Sequence, residues 1–227
     1  MDIAQTKRRE NIAEYILYLW QLEDLLRALQ FSPEAIYSQL VAPRDIPEEG
    51  KNNFLIWYME IGNLLRQEGK EQIGHLDHTL HLIGDLHNLH LQLMELPVGA
   101  HYRTTFAQLA PELPRLRLVL GKEAAEMSDT ELSFRALYAA MLYRIKGEGE
   151  KSPVGDVIAL ISPVIGELAA LYGKVERGEI ALFNTEEPPS IRDRGCLIQT
   201  APIALSTITP EMLLRTCEEP SLRVPTG

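Results

Sequence analysis

Five of the six histidines in this 227-residue chain fall within one stretch, GHLDHTLHLIGDLHNLH, as His75, His78, His81, His87 and His90. Imidazole changes charge near neutral pH and ligates borderline metals, so such a cluster is the first place to look for chemistry. At about 100° per residue on a helix, Asp77, His78, His81 and Asp85 share one sector, opposite Leu76, Ile83, Leu86, Leu93 and Met94. His78, His81 and Asp85 are therefore the candidate ligands of a divalent ion such as zinc, nickel or iron. Their spacing argues against a resident site. Metal centres in helical bundles draw ligands from several helices, typically with Glu-x-x-His pairs, and this chain has no Glu-x-x-His and no His-x-x-x-His. The expectation is a solvated His/Asp face with no cofactor, and divalent-metal binding is the alternative.

His87 and His90 project near the apolar stripe, where a buried imidazole must be neutral or paired. Glu23 and Asp24, beside Trp20, are the carboxylates available to pair with one of them. Glu23, Asp24 and His87 thus form a candidate buried polar cluster, read either as an acid/base couple in a pocket or as hydrogen-bonded core groups that fix helix register. The second reading is the expected one, because no nucleophile stands beside them. Gly147-Glu148-Gly149-Glu150-Lys151-Ser152 resembles a phosphate cradle in its glycines, Lys and Ser. It lacks the Walker spacing, however, and its two glutamates would repel phosphate, so it reads as an interhelical loop. No Gly-x-Ser-x-Gly, Cys-x-x-Cys or dinucleotide-binding glycine pattern is present. Cys196 and Cys217 read as free thiols of a reducing compartment, and Trp57, Tyr58 and Met59 read as core.

The elements that must position these residues are helical. Ile12, Tyr15, Leu19, Leu22, Leu26 and Leu29 recur at spacings of three and four, widened by Ile16, Trp20 and Leu25. This predicts a central helix over residues 6–30. Ser32-Pro33 starts a short second helix, and Pro47 opens a third that stops near Gly69. The pattern predicts a long helix from Lys70 to Leu96, and two shorter pieces between His101 and Gly121 divided by Pro111 and Pro114. Ser128 caps a further helix. Ser152-Pro153 predicts the start of the last one, kinked at Pro163 and ending near Gly178. No segment before Phe183 alternates as a strand would.

Composition agrees with a globular chain. Hydrophobic residues make up 45% and charged residues 24%, and 32 acidic against 22 basic residues give a net charge of -10. That charge disfavours nucleic-acid and anionic-membrane partners. The N-terminus, with Lys7, Arg8 and Arg9 followed at once by Glu10, does not read as a signal peptide. Six of the fourteen prolines, Pro188, Pro189, Pro202, Pro210, Pro220 and Pro225, lie beyond residue 183. The expected organisation is a helical domain over 1–183 and a flexible proline-rich tail over 184–227.

NIAEYILYLWQLEDLLRA (Asn11 to Ala28), DLHNLH (Asp85 to His90), ALYAAMLYR (Ala136 to Arg144) and LAALYGKVERGEI (Leu168 to Ile180) occur in an order and spacing that resemble the bacterial family called domain of unknown function 4924. The resemblance covers about residues 1–183 and leaves the tail unmatched. It implies a compact all-helical protein and no particular chemistry. Together these readings predict an all-α, multi-helix bundle of about six to eight helices. The expected protein is cytoplasmic and non-catalytic, acts through self-association as a homodimer or through partner binding, and has no nucleic-acid or membrane partner.

Overall fold

The computed structural model describes residues 8 and 10–180, and every regular element among them is helical. In chain order these are α1 (Ile12–Ala28), α2 (Pro33–Ile36, continued by a π turn over Tyr37–Val41), α3 (Glu48–Gln67), α4 (Asp77–Glu95), α5 (Ala100–Leu109), α6 (Leu113–Leu120), α7 (Asp129–Ile145) and α8 (Ile158–Glu176). The predicted tail over 184–227, with Cys196 and Cys217, lies outside the described residues.

α1 is central. It buries Ile12, Tyr15, Ile16, Leu19, Trp20, Leu22 and Leu26 around most of its circumference and packs against α3, α4, α7 and α8. α8 lies against α1, α4, α5 and α7. The starts follow local chemistry. Asn11 Oδ1 accepts from the amides of Ala13 at 3.1 Å and Glu14 at 3.3 Å, Ser32 Oγ from Ala35, and Ser128 Oγ from Glu131. Each satisfies a donor that an α-helix leaves unpaired at its first turn. Pro111 and Pro114 stand in the first positions of a 3₁₀ turn and of α6, where no N–H is required.

Several arginines close the connections. Arg103 Nη1 donates to the carbonyls of Leu93 and Leu96 at the end of α4, and Arg117 Nη1 donates to Ala124 and Met127 between α6 and α7. Backbone carbonyls that no helix uses are thereby paired. The corner after α4 also needs a glycine, because a Cβ at Gly99 would stand 1.8 Å from the Leu93 carbonyl oxygen.

Three predicted boundaries are corrected: α1 begins at Ile12, where the extended Asn11 breaks the helix predicted over residues 6–30. Residues 70–76 are irregular, and α4 begins at Asp77 rather than Lys70. Gly74 takes φ +96°, a left-handed conformation that no helical turn contains. α8 begins at Ile158, not at Ser152-Pro153. Val154 and Val157 are drawn into the core at 0% and 2% exposure by turns, and Ser152 Oγ is buried with no hydrogen-bond partner among the described residues, so it caps nothing. Pro163 is held inside α8, which runs on to Glu176. Its ring lies on the exposed face, where water can reach the carbonyl that loses its donor.

Candidate functional site

His75 is the histidine that meets a carboxylate of the first helix. It sits in the irregular stretch before α4 at 6% exposure, with Nδ1 2.7 Å from Glu23 Oε2 and its ring stacked on Trp20 at 3.9 Å between centroids and 11° between planes. Glu23 is 0% exposed. Its other oxygen accepts the Leu76 amide at 3.2 Å, and Arg27 Nη2 lies 3.9 Å away. Leu76 is the residue before the first turn of α4, and the next amide, that of Asp77, donates to Glu68 at 2.8 Å. Two carboxylates from other segments therefore cap α4, at the end where the helix dipole favours negative charge. A buried carboxylate is costly unless its lone pairs are bonded, and Glu23 has an imidazole and an amide bonded to it and a guanidinium nearby.

The cluster continues outward. Asp24 accepts from Arg27 Nη1 at 2.7 Å and from the Tyr138 hydroxyl at 2.5 Å, and that hydroxyl also reaches the Trp20 carbonyl at 3.0 Å. Burial and the neighbouring Asp24 carboxylate push the Tyr138 phenol well above its ordinary range, so it stays a donor. Arg27 donates to the carbonyls of Lys70 and Gly74. Trp20 Nε1 donates to Thr79 at 3.0 Å, and the Arg135 guanidinium lies 5.0 Å from the Trp20 ring. Glu23, Asp24 and Arg27 of α1, the 70–76 stretch and Tyr138 of α7 are thus one polar knot. Glu23 and His75 are sealed from solvent while Asp24 is partly exposed, and together they fasten α1 to the start of α4 and to α7.

The other predicted site residues are dispersed. His78, His81 and Asp85 all lie on the exposed side of α4. His78 Nε2 is 3.1 Å from the Tyr15 hydroxyl. Partial cover of the ring by Tyr15, with the Arg8 charge nearby, holds its imidazole below the usual value. Among the described residues no group of three or more His, Cys, Asp and Glu side chains is arranged to hold a metal ion. His87 is only half-buried, bonded to Thr130 Oγ1 at 3.2 Å, and does not meet Glu23 or Asp24. The buried one of that pair is His90, at 4% exposure, with Nδ1 2.8 Å from the Tyr102 hydroxyl and its ring 5.5 Å from that of His87. Burial lowers His90 and raises Tyr102, so a neutral phenol faces a neutral imidazole.

The role of His75 was readable in part. Glu23 falls between Leu19 and Leu26 on the buried stripe of α1, which demands a partner, and His75 is the histidine next to the Gly74 turn. The long helical period across residues 70–96 hid this by placing His75 on a regular helix.

The model of the family described as Domain of unknown function (DUF4924) matches residues 1–179. The chain belongs to the DUF4924 family. No curated protein and no solved structure matches it. The matched range takes in the polar knot of this DUF4924 chain and all of α8, its most apolar helix among the described residues. α8 is long and apolar enough by composition to span a membrane, yet only 28% of its apolar window is buried. Ala159, Ser162, Pro163, Gly166 and Ala170 all face outward. At about 100° per residue they lie on one side of α8 in this DUF4924 chain, with Asp156 before them and Lys174 and Arg177 after them.

Proposed function

We propose that this protein is a non-catalytic helical bundle that acts by association, pairing with a second copy of itself along α8. The observation that carries this is the outward face of α8. An apolar helix is ordinarily buried on most sides, and here small side chains occupy the uncovered one. Small residues let two helices approach closely. The face is also self-complementary. A two-fold axis at Gly166 runs the paired helices antiparallel and sets Asp156, bonded to Arg115 of its own chain, toward Lys174 of the other copy, in the isologous arrangement of the commonest soluble oligomers.

Light scattering on the untagged full chain at tens of micromolar tests the reading. The expected mass is about twice 25.6 kDa. A Cβ at Gly166 meets nothing within 4 Å, so Gly166→Arg leaves the bundle intact while blocking close approach. That variant should elute as a folded monomer. A monomeric wild type, a Gly166→Arg dimer, or sedimentation of the wild type with anionic vesicles in place of dimerisation would each overturn the proposal.

A further inference from the structure

Glu167 of α8 and His101 of α5 pair at the edge of the outward α8 face. His101 Nδ1 lies 2.8 Å from Glu167 Oε1, and the Thr105 hydroxyl donates to Glu167 Oε2 at 3.1 Å. The imidazole is 85% exposed and the carboxylate 21%. At about 100° per residue Glu167 stands on one border of that face, together with Asp156, Pro163 and Lys174. Asp156 is bonded to Arg115, and Lys174 lies about two turns along the helix from Glu167. Tyr102 of α5, behind the pair, is a neutral phenol raised by burial and by the Glu167 carboxylate, with His90 of α4 on its hydroxyl. Glu167 has no Lys or Arg partner among the described residues, so His101 is the group that can cancel its charge.

We propose that the pairing along α8, the reading on which this rests, is strengthened by protonation of His101. A two-fold axis at Gly166 runs perpendicular to the paired helices, so each border of the face meets the same border of the second copy. Glu167 is one residue from that axis. The two Glu167 carboxylates are thereby brought to the same side as like charges, where small side chains let the helices approach closely. Like charges repel across an interface, and more so where protein displaces water. An imidazolium on each carboxylate turns two anions into two ion pairs. A proton on His101 is therefore worth more in the dimer than in the monomer, and by reciprocity it favours the dimer. Association takes up protons, so it strengthens as pH falls through the ordinary imidazole range near about 6.5. The other histidines stand away from this border. His75 and His90 are buried, His78 and His87 are bonded to Tyr15 and Thr130, and His81 lies near Asp77.

Sedimentation velocity of the untagged full chain, over a concentration series at about pH 8 and about pH 6, brackets the imidazole range. The dimer dissociation constant should fall about tenfold between the two, within the span usual for coupled sites. His101→Gln keeps a donor toward Glu167 at an exposed position but takes up no proton, and should hold the wild-type alkaline constant at both pH values. Glu167→Gln removes the like charges and should be as tight at the alkaline value as the wild type is at the acid one. Circular dichroism should show an unchanged fold in both variants. A wild type that is monomeric at both pH values would overturn the α8 pairing and the linkage with it. A wild-type dimer with one constant at both pH values, or a response that persists in His101→Gln, would overturn the linkage and leave the pairing intact.

Discussion

Glu23 is a charge that the fold has to accommodate, and His75 is the group that does most to accommodate it. Removing one partner of a buried pair leaves the other unsatisfied, so His75→Ala should lower unfolding free energy by about 3 kcal/mol in denaturant titrations. His87→Ala, which loses one 3.2 Å bond at a half-buried position, should cost no more than about 1 kcal/mol. The reverse order would show that the fastener lies elsewhere. His90 predicts a pH effect of definite sign. Its folded-state pKa is depressed by burial, so between that value and the unfolded value of about 6.5 the unfolded chain binds the extra proton. Stability from this group is present above about pH 6.5 and is lost as pH falls below it. His90→Asn should flatten the change in denaturation midpoint between about pH 7 and pH 5.5, before carboxylates begin to titrate.

Pro163 carries the prediction that belongs to the helices. It interrupts the hydrogen-bond ladder of α8 at an exposed position, so Pro163→Ala should restore one donor and raise stability by about 1–3 kcal/mol, read as a higher melting temperature. No gain would mean that the ring makes a packing contribution of similar size. The helices were legible where local chemistry decides them. Ser32 and Ser128 cap as their residue types suggest, and Pro111 and Pro114 divide α5 from α6, whereas Asn11 caps α1 inside the span that periodicity alone runs as one helix over 6–30. Residues 70–76 and 152–157 were not legible, because long-range contacts decide them. Glu23 and Arg27 hold the first stretch in an irregular path, and burial of Val154 and Val157 turns the second. The same limit applies to the site. Periodicity placed His78, His81 and Asp85 on an outward face, but it could not show that the chain leaves the helix before His75 and returns it to Trp20.

For the molecule as a whole, α1 shares contacts with α3, α4, α7 and α8, which makes independent melting of either half unfavourable. Unfolding of the helical body should therefore be a single transition. Trp20, in the polar knot, and Trp57, stacked on Tyr18 between α1 and α3, report on separate regions of that core. Fluorescence curves of Trp20→Phe and Trp57→Phe, compared with far-ultraviolet circular dichroism of the same variants, should share one midpoint for each variant. Two midpoints would divide the bundle into separately folding parts.

The Leu76 amide, bonded to a carboxylate from another helix, has a consequence for solvent exchange. Amides in irregular stretches ordinarily swap their hydrogens for deuterium quickly, because no ladder shields them. This one is covered by a side chain that is itself 0% exposed. Its deuterium uptake is therefore set by the separation of α1 from α4, and it should rank with the slowest amides of α1 while those of residues 71–74 exchange early. A single backbone position outside any helix would thus act as a clock for opening of the whole bundle.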